Sequence, residues 1–377
     1  MPWELPRDLD TPALVVDLDR LEANVASMAA HAAACHVELR PHAKTHKSIE
    51  IARRQLDAGA VGLTVATVGE AEVFSAVGVD DLFIAYPLVA AGPKAQRLRV
   101  LRDRARVRVG VASPAGAARL ADALGPRSGL EVLLELDAGH HRTGVGIEEA
   151  PALARAGADA GLEVVGVFTH PGHAYAGPGA VAGAASDEAR TLAEAAIRLT
   201  AAGFEPLVLS GGSTPTTRAL APGTPAPSAP GTWVHEQRPG SYVFNDRVQC
   251  ALGAAGPEEV ALVVASTVVA SGPGGRFVCD AGSKALGAER LDYVTGFAAV
   301  AAEQGRAGPA EPAAVLTRLS EHHGMAGTVG NPPVVGEVVA LVPNHVCPVV
   351  DHFDHFVVVR AGQVVDHWPV DARGRLG

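Results

Sequence analysis

Apolar and polar positions follow different patterns in two parts of the chain. From about residue 11 to residue 210, short runs of β-branched and other apolar residues alternate with alanine-rich stretches of helical periodicity, such as Leu21–Ala33 and Glu188–Ala202. The apolar runs predict eight strands, namely Ala13–Val16, Val37–Arg40, Gly62–Ala66, Asp81–Ala85, Val107–Val111, Glu131–Leu136, Val164–Thr169 and Leu207–Ser210. Strands that alternate with helices form parallel sheets, and eight such units favour a (β/α)8 barrel of the TIM type over an open, doubly wound sheet.

From about residue 250 onward the pattern is one of short strands separated by glycine and proline turns. The strands predicted here are Glu259–Val269, Arg276–Asp280, Val334–Val342, Phe356–Arg360 and Gln363–Trp368. Such a pattern predicts a second domain that is mostly β. We place the barrel at residues 12–247 and the β domain at residues 248–377, with residues 1–11 joining the β domain.

The composition narrows the classes of function. The chain has 377 residues, of which 41 are acidic and 31 basic, and this net charge of −10 argues against a nucleic-acid or membrane partner. Its four cysteines are scattered without a C-x-x-C pair, so neither a disulfide framework nor a four-thiolate zinc site is expected. The N-terminal residues have no signal-peptide pattern, and no apolar run reaches the length of a membrane span. We therefore expect a soluble, cytoplasmic protein.

Lysine is rare in this chain, and its placement suggests chemistry. Only four of the 31 basic residues are lysines, and two of them, Lys44 and Lys47, stand together in PHAKTHK. An amine that forms an imine with a carbonyl cofactor must lose its proton, which desolvation and neighbouring positive charge favour. Lys44 follows a predicted strand and has Arg40, His42 and Lys47 near it in sequence, which suits that task. A solvent-facing loop that binds an anion is an equally good interpretation of the same residues.

Two glycine-containing turns are candidates for binding phosphate. Gly211, Gly212, Ser213 and Thr214 follow the last predicted barrel strand, where barrel enzymes often bind phosphate groups. Glycines let backbone amides approach a phosphate, and the two hydroxyls add donors. The alternative is an ordinary turn in which Ser or Thr caps a helix. A second turn, RPGS, contains Gly240 and Ser241 and is a weaker candidate for the same group.

The segment PNHVCP suggests a metal site. Residues two apart in a strand face the same side, so His345 and Cys347 can converge on one ion. Two protein ligands leave coordination positions open, as catalytic sites do. On spacing alone, an ordinary core cysteine in a half-buried strand is the better interpretation. The polar residues that follow are either further ligands or a polar loop, and they are Asp351, His352, Asp354 and His355.

Polar side chains also follow two other predicted barrel strands. Asp137 and Arg142 lie in LELDAGHHRTGVG, and Arg142 could donate to an oxygen of a cofactor. His170, His173 and Tyr175 lie in THPGHAY, and they could stack on or hydrogen-bond a ring. Structural or surface roles explain each of them at least as well.

Taken together, these motifs resemble a known family. RPHAKTHKS, ELDAGHHRTGVG, THPGHAY, SGGSTPT, RPGSYVFND, DAGSKAL and PNHVCPVVD occur in the order found in the D-serine dehydratase/D-threonine aldolase family. These are fold-type III pyridoxal-phosphate enzymes related to alanine racemase, and the resemblance runs from Asp10 to about His367. The stretch from Ala176 to Ala185 lacks a second tyrosine that family members often carry there.

The resemblance implies roles for several residues. It implies that Lys44 forms the imine bond with pyridoxal phosphate, that Arg142 and Tyr175 contact the cofactor, and that the SGGST and RPGS turns bind its phosphate region. It also implies that His345 and Cys347 hold a divalent metal. The dehydratase branch tends to carry H-x-C and the aldolase branch H-x-D, so Cys347 favours dehydration. Thiolate ligation favours Zn2+, with Mn2+ or Mg2+ as alternatives.

The function predicted from this resemblance is a lyase reaction on D-β-hydroxy amino acids. β-Elimination to a keto acid and ammonia, as in a D-serine dehydratase, is the first candidate. Retro-aldol cleavage to glycine and an aldehyde is the alternative, and a non-catalytic pyridoxal-phosphate carrier is a more distant one. A homodimer is expected, because enzymes of this fold type usually complete their site across a dimer.

Overall fold

The computed structural model describes residues 3–125, 128–205, 208–223, 233–301, 314–328 and 332–377. The chain divides into two compact units. The barrel unit comprises residues 27–44, 49–240 and 374–377, and the β unit comprises residues 1–26, 45–48 and 241–373.

Strands and helices are numbered along the described chain. The strands are β1 (Ala13–Asp17), β2 (Glu38–Leu39), β3 (Leu63–Val65), β4 (Asp81–Pro87), β5 (Arg106–Val111), β6 (Glu131–Leu136), β7 (Glu163–Thr169), β8 (Val208–Gly211), β9 (Val234–Gln237), β10 (Leu262–Gly272), β11 (Arg276–Cys279), β12 (Ala298–Val300), β13 (Ala314–Leu319), β14 (Gly324–Thr328), β15 (Val338–Pro343), β16 (His355–Arg360) and β17 (Gln363–Pro369). The α-helices are α1 (Leu18–Ala34), α2 (Ile49–Asp57), α3 (Val68–Ser75), α4 (Gly92–Arg102), α5 (Pro114–Leu124), α6 (Ala150–Asp159), α7 (Val181–Ala201), α8 (Thr214–Arg218), α9 (Arg247–Ala251), α10 (Ser283–Leu286) and α11 (Val346–Val350).

The barrel unit contains an eight-stranded parallel sheet with helices between its strands. The strand order is β2-β9-β8-β7-β6-β5-β4-β3. A parallel bridge between His42 and Thr64 joins the two ends of this order, and the Val61 amide donates to the Leu39 carbonyl beside it at 2.9 Å. The sheet therefore closes as a barrel, and the predicted fold class of a TIM-type barrel with a second, mostly β domain is confirmed.

Alternation along the barrel strands separates two layers of apolar side chains. Val109 and Leu134 pack in the large cluster that includes helix residues, whereas Phe83, Leu133 and Phe168 form a separate cluster. The rings of Phe83 and Phe168 meet edge to face at 5.1 Å between centroids. This alternation is the reason why the barrel strands appear in the sequence as nearly continuous apolar runs.

The sequence places one strand in the wrong sheet and misses one barrel strand. The strand at Ala13–Val16 belongs to the other sheet, where β1 pairs with β10 and β16. The eighth barrel strand is instead β9, Val234–Gln237, which we did not predict. Its Glu236 is buried and paired at 2.9 Å with both Arg40 and Arg108, so a charge occupies the place where the pattern requires an apolar residue. As a result, Lys44 follows the first barrel strand, β2.

The β unit contains a nine-stranded sheet of order β11-β14-β13-β12-β15-β10-β1-β16-β17. Because β11 also pairs with β10, six of these strands close into an antiparallel barrel. Buried valines, including Val15, Val263 and Val357, form a core cluster where β1 lies between β10 and β16. The domain boundaries of 12–247 and 248–377 stay a prediction. Among the described helices, none combines the length and the apolar character needed to span a membrane.

Candidate active site

Lys44 lies on a single 3-10 turn, Ala43–Thr45, that directly follows β2 in the barrel unit. Its neighbours Ala43, Thr45 and His46 are buried, whereas Lys44 itself is exposed. The turn is held from one side by the bridge between His42 and β3. A short turn fixed to a barrel strand thus presents the Lys44 amine, and its role stays a prediction.

The loop after β6 presents Arg142. The Asp137 carboxylate accepts hydrogen bonds from the amides of Gly139 and His141, at 2.9 and 3.0 Å, and from the His141 ring at 2.7 Å. Burial alone would raise the pKa of Asp137, but these hydrogen bonds outweigh it and hold the pKa below its usual value. Asp137 therefore stays ionised at neutral pH and fixes the turn that leads to the exposed Arg142.

The segment after β7 carries His170 and Tyr175. Desolvation holds the pKa of His170 well below its usual value, and the positive charges of Lys44 and Arg142 lower it further. The imidazole is therefore neutral at neutral pH and can contact a cofactor ring without adding charge. Tyr175 is half-buried on the 3-10 turn Gly172–Ala176. A side chain at Gly172 would collide with the His140 ring, so this close packing explains the glycine.

The SGGST turn lies between β8 and α8. Ser213 caps α8, because its Oγ accepts a hydrogen bond from the Thr216 amide, as the capping interpretation predicted. The Arg238 amide donates to the Gly211 carbonyl at 2.9 Å and thereby brings the turn that contains Gly240 beside it. Arg238 itself is buried, and burial lowers its pKa to about 10. Within the barrel unit, the SGGST turn therefore lies beside residues 238–240, which begin the second predicted phosphate-binding turn.

Orphaned polar atoms in the barrel unit suit a bound polar group. The Thr214 hydroxyl is buried and has no hydrogen-bond partner among the described residues. Among the described residues of the barrel unit, one carboxylate oxygen of Glu135 is also buried and unpartnered. The other oxygen of Glu135 accepts from the Thr143 hydroxyl at 2.8 Å. Because buried polar atoms are normally paired, the Thr214 hydroxyl fits a cofactor with a phosphate that accepts from it, and the Glu135 oxygen fits a cofactor that also carries a hydrogen-bond donor.

In the β unit, His345 and Cys347 come together, but not in a strand. β15 ends at Pro343, His345 caps α11 in extended conformation, and Cys347 lies in the first turn of that helix. The sequence analysis attributed the proximity of His345 and Cys347 to alternation along a strand, and that explanation is therefore wrong. The two side chains are nevertheless hydrogen-bonded to each other, and the His345 Nδ1 atom is hydrogen-bonded to the Glu289 carboxylate. Burial lowers the pKa of His345, but Cys347 and Glu289 outweigh it and raise the pKa to about 11.

An imidazole and a thiol in contact fit a metal site with two protein ligands. No group of three or more metal-binding side chains occurs in the described part of the chain. Asp351 pairs with Lys47 at 2.7 Å and Asp354 with Arg373, so both carboxylates already have cationic partners. The Thr45 hydroxyl, from the residue after Lys44, lies 3.2 Å from the Cys347 sulfur. The Ser241 hydroxyl lies 3.9 Å from the same sulfur.

Comparison with known sequences shows which family this chain belongs to. The alanine racemase N-terminal domain matches residues 16–248, more than half of the chain, and a serine dehydratase domain matches residues 261–359. The chain belongs to the alanine racemase-like family. The family and the fold class predicted from the sequence are thereby confirmed.

Family members of known activity resemble the chain over nearly its whole length. D-threo-3-hydroxyaspartate dehydratase of Delftia sp. strain HT23 is 36% identical over 96% of this chain and 97% of its own. D-threonine aldolase of an Arthrobacter species is 34% identical over 97% of this chain and 93% of its own. The solved structure of the Delftia dehydratase superposes with a TM-score of 0.86 at 34% identity, covering 97% of this chain and 99% of that one.

These family members are enzymes, and dehydratases and aldolases are both lyases, so the prediction of an enzyme is confirmed. The more distant alternative, a non-catalytic carrier, has no support among them. A cysteine-to-alanine variant of a D-threo-3-hydroxyaspartate dehydratase has also been solved, in a metal-free form. The roles of the individual site residues stay predictions.

Three residues of the candidate site were missed in the sequence. Glu135, Glu188 and Glu289 lie respectively on β6, on α7 and in the segment after α10. Glu188 offered a signal, because it lies four residues from both Ala184 and Leu192 and so falls on the buried face of its helix. Glu289 offered none, because its partner lies far along the chain.

Proposed function

We propose that the chain is a pyridoxal-phosphate-dependent lyase that removes the β-hydroxyl group of D-β-hydroxy amino acids and yields a keto acid and ammonia. The observation that carries this proposal is the contact between His345 and Cys347, with Glu289 on the other side of the imidazole. Such a pair can place a Lewis acid at a leaving hydroxyl. The identity of 36% with a dehydratase over nearly the whole chain supports the same reaction.

The cofactor would be held in the barrel unit. Lys44 would bind it covalently, Arg142 and Tyr175 would contact its ring region, and the two turns at residues 211–214 and 240–241 would lie around its phosphate. Pyridoxal phosphate, when bound, supplies an electron sink that makes the substrate Cα–H bond acidic. A divalent ion on His345 and Cys347, Zn2+ first and Mn2+ or Mg2+ as alternatives, supplies Lewis acidity for the departing hydroxyl.

The chain's own groups have distinct tasks in this proposal. The Lys44 amine takes the proton from the substrate Cα, which requires that it be neutral when substrate is bound. The neutral His170 ring adds no charge beside that amine, while Arg142 supplies a fixed positive charge for an anionic oxygen. The enamine that leaves hydrolyses to the keto acid and ammonia. A homodimer and a cytoplasmic location remain part of the proposal.

A second candidate is cleavage of the Cα–Cβ bond to glycine and an aldehyde. The identity of 34% with a D-threonine aldolase over nearly the whole chain favours it. This reaction uses the same residues, but a base must take the proton of the β-hydroxyl instead of the α-proton. The thiol at Cys347 favours elimination over this cleavage.

The products distinguish the two reactions. Purified protein with pyridoxal phosphate and Zn2+ is incubated with D-threo-3-hydroxyaspartate, D-serine and D-threonine in turn, and keto acid plus ammonia are measured against glycine plus aldehyde. We expect keto acid, first from 3-hydroxyaspartate, and the L-enantiomers serve as controls. Glycine as the main product would replace elimination by the aldolase reaction, and inertness toward all three substrates would contradict both.

A further inference from the structure

A buried carboxylate lies against the SGGST turn. Glu188 is on α7, only 4% exposed, on the same helix face as Ala184 and Leu192. No ion pair joins it to another side chain among the described residues; burial raises the pKa of Glu188, and its hydrogen bonds together with the charge of the buried Arg238 offset this only in part. Burying an acidic group without a cation is costly unless hydrogen bonds hold it. The free energy of that burial must therefore be offset by its polar contacts.

Those contacts all lead to the segments that form the turn. One oxygen of Glu188 accepts from the Gln237 side-chain amide at 2.9 Å, and the other accepts from the Thr216 hydroxyl at 3.3 Å. The Gly212 amide also donates to the carboxylate. Gln237 in turn accepts from the Thr217 hydroxyl at 2.8 Å. Glu188 and Gln237 thus tie together the end of β8, the start of α8 and the end of β9.

The same pair explains why the turn contains two glycines. A side chain at Gly211 would collide with the Glu188 carboxylate, and one at Gly212 would lie 2.5 Å from the Gln237 amide oxygen. Gly212 also has a φ of +95°, which side chains rarely adopt. The glycines are therefore required on the side of the turn that faces Glu188 and Gln237, whatever binds on the other side.

The hydrogen bonds decide which donors of the turn remain for a ligand. The Gly212 amide is used by Glu188, and the Ser213 amide donates to the Thr216 hydroxyl at 3.0 Å. The Thr214 hydroxyl is buried and has no partner among the described residues. We infer that Glu188 and Gln237 are positioning residues that hold this turn so that Thr214, and not the Gly212 amide, donates to the cofactor phosphate. This inference rests on the proposed binding of pyridoxal phosphate.

The test compares two ligands that differ only in the phosphate. The apo-protein is titrated with pyridoxal phosphate and with pyridoxal, and binding is followed by absorbance, together with thermal unfolding of the apo-protein. Glu188→Gln keeps the side-chain volume but sets the new amide NH2 group against the donors that now point at the carboxylate, such as the Gln237 side-chain amide. We therefore expect pyridoxal phosphate to bind about tenfold more weakly and pyridoxal to bind as before. Thr214→Val should have the same selective effect. Glu194→Gln, an exposed acid on the same helix, is the matched control.

A rescue variant separates positioning from general destabilisation. In Glu188→Gln combined with Gln237→Glu, donor and acceptor exchange places, and an oxygen at each position still accepts from Thr216 and Thr217. We expect this double variant to restore the affinity for pyridoxal phosphate. Equal losses for both ligands, or no loss in Glu188→Gln, would overturn the inference. Wild-type protein that binds neither ligand would contradict the proposed function itself, which is seen before any variant is compared.

Discussion

Removal of the Glu289 carboxylate should weaken metal binding at His345 and Cys347. The His345 imidazole has one nitrogen hydrogen-bonded to Glu289 and shares a second hydrogen bond with Cys347. A carboxylate on the far nitrogen of a metal-binding histidine fixes the ring's orientation and tautomer and makes the other nitrogen a better ligand. Glu289→Ala leaves the ring free to rotate, whereas Glu289→Gln retains a neutral acceptor.

The size of the effect follows from the exposure of the pair. A hydrogen bond to a charged group contributes about 1.5 to 3 kcal/mol. The Glu289 and His345 side chains are 44% and 34% exposed, so solvent screening places the contribution at about 1.5 kcal/mol, the low end of that range. That corresponds to roughly tenfold weaker Zn2+ binding in Glu289→Ala, within the range of about 10- to 100-fold for such partners.

Chelator competition measures this affinity directly. Apo-protein is titrated with Zn2+ against a chromophoric chelator, and the affinity for pyridoxal phosphate is measured in parallel and should not change. Glu321→Gln is the matched control, because Glu321 also pairs with a cation, Lys284, at 2.8 Å on an exposed surface of the same unit. Unchanged Zn2+ affinity in Glu289→Ala would refute the positioning role. Absence of Zn2+ binding in the wild type would remove the metal site itself.

Three further predictions concern the amine, the thiol and the barrel interior. Lys44→Ala should abolish both turnover and the visible absorbance of covalently bound cofactor, while Lys94→Ala, a half-buried lysine on α4, should change neither. Cys347→Ala should lose elimination and retain the cofactor, and full activity in metal-free protein would contradict this. Burial alone would raise the pKa of Glu236, but its two arginine partners outweigh burial and hold the pKa below its usual value. Its contribution to stability is therefore present at neutral pH and lost as the pH falls through the folded-state pKa, so urea unfolding from pH 7 to pH 3 should show a steeper loss in the wild type than in Glu236→Gln. An equal loss of stability in the wild type and in Glu236→Gln would contradict this role of Glu236.

The parallel barrel made part of the site predictable from the sequence. Carboxyl ends of parallel strands meet at one end of a barrel, so polar residues after successive strands are expected near each other. Lys44, Arg142 and His170 follow three such strands, and the pKa of His170 is lowered first by desolvation and then by the charges of the other two. No contact had to be known in advance, because the topology places these groups together once the strands are assigned.

The sequence did not assign every strand to the correct sheet, and the reason is physical. β1 is buried on both faces and gives the same apolar run as a barrel strand, although it lies in the other sheet. β9 is short and carries Glu236 and Gln237 where apolar residues were expected. Apolar periodicity reports burial, and it cannot distinguish one buried sheet from another. It also fails where a buried position is filled by a charge with partners.

Buried polar positions of this kind stabilise the barrel unit, and two of them, Glu188 and Gln237, adjoin the candidate site. Glu188, Glu236 and Gln237 are all buried, and each is held by hydrogen bonds from residues distant in sequence. A pattern of apolar residues treats them as interruptions, although their burial is costly and must serve a purpose in the folded chain. Spacing within the helix would have shown that Glu188 faces inward. Its partners, like the pairing of Glu289 with His345, follow only from the fold, because nothing in the intervening sequence determines which loop returns to meet them.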